Sequence, residues 1–261
     1  MGKMGEAVVA GLKSSASAKD FRSQGTTKSR ESAEDVSRRL GIPCGTDNAK
    51  LVKECDVILL CVKPHQVEKI VTDISSHLTK KHLLISIAAS ITLKQLSQWS
   101  KNKCPVIRAM PNTPCLIGEG MTVFSAGEDV KAEQLEIAKK IFGTVGKTTT
   151  VEDALMDGVT GLSGCGPAYI YLVIEALSEA GVKVGLSRET ATLLAAQTLV
   201  GSARMVLQRG VHPAALKDEV TTPAGCTIDG LMALEEGKLR VTLIKAVLAA
   251  EKRSKKLREP K

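Results

Sequence analysis

The chain has 261 residues, 43% of them hydrophobic and 25% charged, enough apolar material for two domain cores and too much for a disordered or fibrous protein. Its net charge of +8 gathers in the terminal KRSKKLREPK, and aromatics at only 2% leave no stacking platform for single-stranded nucleic acid; a solvated helix end with cations set against the dipole accounts for the tail. Seven cysteines, an odd number without a CxxC pair, point to packed thiols in a reducing compartment and away from a disulfide frame or zinc site, and no apolar run reaches membrane-span length.

MGKMGEAVVAGLK opens with Gly2, Lys3, Met4 and Gly5, then sets Val8, Val9 and Leu12 on one face. That is the latter part of a glycine-rich phosphate turn running into its helix. The first glycine of such a turn, and the strand that should lead into it, are absent. Residues 21–23 read as a weak strand. Thr26, Thr27, Lys28, Ser29 and Arg30 form a polar basic loop, and a helix from about residue 32 stops at Leu40 and Gly41. In dinucleotide folds a carboxylate about 20 residues past the glycine turn accepts from the ribose 2′-hydroxyl. Hydroxyls and cations stand there instead, which suits a 2′-phosphate and NADPH, with NADH or a plain solvated loop as the alternatives.

Residues 47–55 read as a helix and VILLCV at 57–62 as a strand buried on both faces, broken by Lys63 and Pro64. A helix at 66–77, a strand at 83–89, a short helix at 92–99 and a strand at 105–109 follow. Pro111 and Pro114 then bracket Asn112, and MTVFSA, a helix at 128–142 and a short run at 147–151 complete the series. This alternation predicts an α/β, Rossmann-like doubly wound parallel sheet over residues 1–151, with a cofactor across the strand ends at 61–64 and 88–90.

Residues 152–261 lose the strand signals and predict an all-helical second domain. TGLSGCGPAYIYLVIEALSEAGVKVG reads as a glycine-rich bend and a long helix with Pro167 in its first turn. Ser187 caps a further helix expected to bury Leu193, Leu194, Ala196, Leu199 and Val200. More apolar surface lines these helices than so short a domain can hide, and small residues such as Ala195 and Gly201 allow close approach, so dimerisation is expected. At 218–230, DEVTTPAGCTIDG reads as a tight turn feeding a helix, with Gly225 offering positive φ and close backbone approach. The amides opening that helix suit a carboxylate beside the Thr222 and Thr227 hydroxyls, and the alternative is an ordinary threonine N-cap. A last helix is expected over 239–257.

VKPHQV at 62–67, RAMPNTP at 108–114, TGLSGCGPAYIY at 160–171 and LKDEVTTPAGCTIDGL at 216–231 together resemble pyrroline-5-carboxylate reductases over nearly the whole chain. The resemblance implies reduction of the cyclic imine 1-pyrroline-5-carboxylate to L-proline by hydride from NADPH or NADH, without a metal. It also implies a nucleotide-binding domain followed by a helical domain that interlocks with a second subunit, dimers assembling into decamers, and a cytoplasmic location, or a plastid one if the true N-terminus lies upstream. By position, Gly2, Lys3 and Met4 match the phosphate turn, Thr26 the loop near the adenosine phosphate, and Asn48 the adenosine side. Cys61, Val62, Lys63 and Pro64 match the cofactor-lining strand end, and Ala88 and Ala89 the nicotinamide side. Thr222, Gly225, Cys226 and Thr227 match the substrate-carboxylate loop, with Thr227 nearest the imine nitrogen as the catalytic hydroxyl.

Three departures from the family pattern carry expectations. Cys165 stands where a serine is usual. Ala224 replaces a glycine and is expected to lose access to positive φ. The absent first strand would forfeit on the order of 10 kcal/mol of burial, so Met1 reads as an internal or misassigned start, and the chain is expected to fold poorly or bind cofactor weakly. A silent paralogue acting through oligomerisation or cofactor binding is the alternative function. A β-hydroxyacid dehydrogenase is disfavoured because Ile170 occupies the position of its acid–base lysine.

Overall fold

A computed structural model describes residues 1–258. In chain order the elements are α1 (Lys3–Ser14), β1 (Gly25–Thr26), α2 (Arg30–Leu40), β2 (Cys44–Gly45), α3 (Asn48–Glu54), β3 (Val57–Leu60), α4 (Pro64–Ile74), β4 (Leu83–Ser86), α5 (Leu93–Trp99), β5 (Val106–Met110), β6 (Gly120–Ala126), α6 (Ala132–Gly143) and β7 (Gly146–Thr150). The remainder is helical: α7 (Met156–Val159), a π-turn (Thr160–Gly164), α8 (Gly166–Lys183), α9 (Arg188–Arg209), α10 (Pro213–Glu219), α11 (Cys226–Glu236) and α12 (Leu239–Arg258). Two compact units result, one of residues 1–165 with the stretch from Ala249 onward, the other of Gly166–Leu248.

In the first unit, β3 to β7 form one sheet in sequential order, parallel except where β6 runs antiparallel to β5. The link from β5 to β6 holds only a short 3-10 turn at Thr113–Ile117, and a parallel return needs a crossover of a dozen or more residues. Period-two alternation divides the strand side chains between two cores. Ile58, Leu60, Leu84 and Val106 pack with Val67 and Val71 of α4 and Leu96 of α5, while Leu83, Ile85, Ile107 and Phe124 pack with Val8 and Leu12 of α1 and Phe142 of α6. Phe124 and Phe142 meet edge to face, ring centroids 5.5 Å apart. Helices on both faces of the sheet are what the doubly wound reading requires.

β1 and β2 form a separate two-stranded parallel ladder. The weak strand expected at 21–23 begins pairing only at Gly25, whose amide donates to the Pro43 carbonyl at 3.0 Å. Phe21 is extended but packs its ring on the α1-side core without a ladder partner.

The expected glycine-rich bend at 160–164 is instead a π-turn. The Cys165 amide donates to the Thr160 carbonyl at 2.9 Å, and the hydroxyls of Thr160 and Ser163 donate back to the carbonyls of Met156 and Val159. Gly164 faces the tip of Met110, since a Cβ there would stand 2.6 Å from Met110 Cε. Nearby, Asp157 is fully buried. Its Oδ1 accepts from Ser254 Oγ at 2.8 Å, and the Arg258 guanidinium forms an ion pair with its Oδ2.

In the second unit α8 packs on α9, and a Cβ at Gly181 would lie 2.6 Å from Ala191 Cβ. The expectation that α9 buries Leu193, Leu194 and Val200 fails: Leu193 is 66% exposed, and Ala191 and Ala195 hold the buried face. A single copy offers α9 few neighbours, so its leucine stripe faces outward, with Ile170, Tyr171 and Leu172 of α8 also exposed.

Candidate active site

The cofactor half is built at the carboxyl ends of β3 and β4, which leave the sheet side by side because Leu60 pairs with Ser86 in parallel register. α1 begins directly behind Gly2, and among the described residues no side chain caps it. Its opening amides and positive dipole end are therefore open to an anion. A Cβ on Gly2 would sit 3.4 Å from the Cys61 carbonyl oxygen, and one on Gly5 only 2.8 Å from Cys61 Sγ. Lys3 is exposed on the first turn and Met4 half-buried beside it.

The Thr26 hydroxyl donates to Asn48 Oδ1 at 2.6 Å, which joins the basic loop to the start of α3. Lys28 is exposed on that loop and Arg30 on the first turn of α2. Lys63 is the N-cap residue of α4 and Pro64 its first residue. The Ala88 amide donates to Ser86 Oγ at 3.3 Å, and Ala89 follows it half-buried. Ser90 comes next, 6% exposed with φ 62°, a left-handed conformation that a non-glycine residue holds only at a cost. Nothing in the sequence marks it. Burial pushes the Cys61 thiol up to about 12, with the Met1 ammonium pulling it back, so the side chain facing Gly5 is a neutral thiol and no nucleophile.

In the second unit the turn at 221–225 closes by a bond from the Gly225 amide to the Thr222 carbonyl at 3.1 Å. Gly225 is the N-cap of α11 with φ −82°, so the positive φ expected there is absent. Its glycine is required by proximity instead, since a Cβ would stand 2.4 Å from Thr222 Oγ1. The left-handed residue is Ala224, φ 56°, and the expectation that its methyl denies that region is overturned.

No threonine caps α11; the Thr221 hydroxyl donates instead to the Lys217 carbonyl at 2.8 Å. Among the described residues no side chain bonds the opening amides of this 11-residue helix, beside which stand exposed Thr222, exposed Cys226 and half-buried Thr227. Asp229 shares the first turn and is exposed.

Other motif residues act as framework. Asn112 donates to the Ser163 carbonyl at 3.2 Å and accepts from the Met121 amide at 2.8 Å. Arg108, 2% exposed, pairs with Asp153 at 2.8 Å. A cavity of about 810 Å³ lies between Lys94, Ser125, Glu128 and Glu152 and includes none of the residues expected at the site. All seven cysteines are free, and among the described residues no helix is long and apolar enough to cross a membrane.

A family model described as pyrroline-5-carboxylate reductase dimerisation matches residues 153–257, and one described as NADP oxidoreductase, coenzyme F420-dependent, matches residues 1–90. A pyrroline-5-carboxylate reductase of Arabidopsis thaliana is 44% identical over 256 residues, 98% of this chain and 92% of that one. Among solved structures, a pyrroline-5-carboxylate reductase from Coxiella burnetii superposes with TM-score 0.93 at 35% identity, covering 99% of this chain and 96% of the other. The Plasmodium falciparum pyrroline carboxylate reductase with NADP bound gives 0.85 at 33% identity, covering 99% and 95%.

Proposed function

The chain belongs to the pyrroline-5-carboxylate reductase family, and from that premise we propose how its residues divide the work of the reaction. It is an NAD(P)H-dependent oxidoreductase that reduces 1-pyrroline-5-carboxylate to L-proline, the last step of proline biosynthesis. The protonated imine is already electrophilic at carbon; bound NAD(P)H supplies the hydride, which adds to that carbon as the C=N π pair becomes the amine lone pair. The remaining task is alignment, which in well-oriented systems is worth roughly 7–11 kcal/mol.

The residues at the strand ends fit a dinucleotide: Gly2 brings the opening of α1 against the Cys61 carbonyl without a side chain between them, and that opening is uncapped. Gly2, Lys3 and Met4 would hold the diphosphate there. Thr26, with Lys28 and Arg30 beside it, would take the adenosine 2′-phosphate, and Asn48 the adenosine. Cys61, Val62, Lys63 and Pro64 would line the strand end, and Ala88 and Ala89 the nicotinamide. This arrangement favours NADPH over NADH.

Thr222, Gly225, Cys226 and Thr227 would receive the ring carboxylate on the opening amides of α11. The Thr227 hydroxyl would bond the ring nitrogen and hold its proton in place. The observation that carries this reading is the uncapped α11 behind a turn closed tightly enough to require Gly225. Thr227→Ala is expected to lower kcat about 100-fold, in the range for loss of a positioned proton-handling group, with NADPH affinity unchanged by fluorescence titration. Equal loss of both contradicts the assignment.

The second unit carries a dimerisation domain, and the exposed leucines of α9 suit a second copy. We further propose that dimers assemble into decamers and that the protein works in the cytoplasm, where its seven free thiols stay reduced. Light scattering showing nothing larger than a dimer would refute the decamer.

A further inference from the structure

The substrate turn of the second unit is carried by a helix with little to hold it. α10 has seven residues, none of them buried, and Leu216 alone among them is half-buried. A helix that short is marginal in water by itself, so its position depends on what ties its two ends. At the first end Gly210, with φ 62°, turns the chain out of α9, and the Ala214 amide donates to His212 Nδ1 at 3.2 Å.

The other end is held from outside the helix. Arg209 closes α9 and Glu219 closes α10. The guanidinium donates through both terminal nitrogens, Nη1 to Oε2 at 2.6 Å and Nη2 to Oε1 at 2.9 Å. Among the described residues this fork is the only side-chain hydrogen bond or ion pair between α10 and another helix. Arg209 holds the Glu219 carboxyl below the ordinary carboxylate range, so the pair is charged at neutral pH. The substrate turn follows almost at once. The Thr221 amide donates to the Asp218 carbonyl at 3.1 Å and its hydroxyl to the Lys217 carbonyl at 2.8 Å, so Thr221 is tied to the end of α10. Gly225 closes on Thr222 directly after it.

We propose that Arg209 and Glu219 are positioning residues for the reduction: their fork fixes the end of α10 against the end of α9, and so sets where the turn at 221–225 presents the opening amides of α11 to the substrate carboxylate. The inference rests on the reading of that turn as the carboxylate site. Exposed ion pairs with a single contact contribute little, whereas a bidentate arginine–carboxylate pair fixes direction as well as distance. Acting through the turn, the pair governs how well the carboxylate is received and leaves the hydride step alone.

The test compares the full chain with Arg209→Gln, Glu219→Gln and a charge exchange that joins Arg209→Glu to Glu219→Arg. Each single variant is expected to raise KM for 1-pyrroline-5-carboxylate about two- to fivefold, the upper range for an exposed pair, with kcat and NADPH affinity unchanged. The charge exchange should restore most of the loss. Hydrogen exchange at the main-chain amides of 220–228 should quicken in the single variants and return to the native rate in the charge exchange. Arg188→Gln, which breaks an exposed pair with Glu179 in the same unit, should alter neither KM nor those amides. Native exchange rates at 220–228 in both single variants, or a charge exchange that merely sums the two single losses, overturns the positioning role. Faster exchange there with KM unmoved overturns instead the assignment of the turn to the substrate carboxylate, and the proposal with it.

Discussion

Replacing Ala224 by glycine tests the substrate turn most directly. Ala224 holds φ 56°, and a left-handed conformation costs a residue with a Cβ roughly 1–2 kcal/mol. Its methyl is exposed, so removing it loses no core packing. The opposing effect is the greater freedom of glycine in the unfolded chain, about 0.4–1 kcal/mol. The difference leaves about 0.5–1 kcal/mol in favour of the closed turn, a gain of roughly two- to fivefold in its population. Ala224→Gly should therefore lower KM for 1-pyrroline-5-carboxylate by that factor in steady-state assays, with kcat and NADPH affinity unchanged, and should raise the melting temperature slightly. A KM that rises, or one unchanged together with an unchanged melting temperature, would show that Ala224 stores no strain that matters to the loop.

Gly225→Ala should act in the opposite direction. The added Cβ would lie 2.4 Å from Thr222 Oγ1, and opening the turn at an overpacking cost of about 1–3 kcal/mol should raise KM at least fivefold while leaving NADPH titrations unaltered. Asp157→Ala removes the carboxylate bonded by Ser254 and paired with Arg258. Buried Ser254 would lose its acceptor and half-buried Arg258 its counter-ion, a cost of about 1–3 kcal/mol and a fall in melting temperature of roughly 2–12 °C by calorimetry. The Cys61 thiol has its folded pKa raised to about 12, above an ordinary value of about 8.5. Its contribution is therefore complete below about pH 8.5 and is lost as pH climbs toward the folded value. Melting temperature should decline on that alkaline limb, and Cys61→Ser should make the decline shallower.

Period and punctuation made the first unit legible. The unbroken apolar run at 57–62 covers β3, which stops at Leu60, and the breaks at Lys63 and Pro64 match the start of α4; Val57 and Leu59 are only half-buried, so one face of the strand is less covered than the run implied. The direction of β6 was not legible, since it follows from the length of the link after β5 rather than from any residue in the strand. Around the substrate turn, the residue types pointed to a helix start, but φ and contact distance are separate demands on a glycine. Gly225 answers the second, while the first falls on Ala224. Leu193 and Leu194 have the spacing of a core stripe. Amphipathicity records that a face will be covered without recording which chain covers it, and in one copy they remain exposed. Ser90 could not be foreseen, because serine types no backbone conformation so narrowly.

The bond between Ser254 and Asp157 spans 97 positions of sequence, and it sets an order of events during synthesis. The nucleotide-binding unit is made first, yet its last internal carboxylate finds its hydroxyl and guanidinium only when the final turns of α12 have been translated. A chain cut short before Ser254 would carry every strand of the sheet but lack the hydroxyl and guanidinium that bind Asp157. Translation of α12 is thereby read out as stability of the unit whose sheet was made before it.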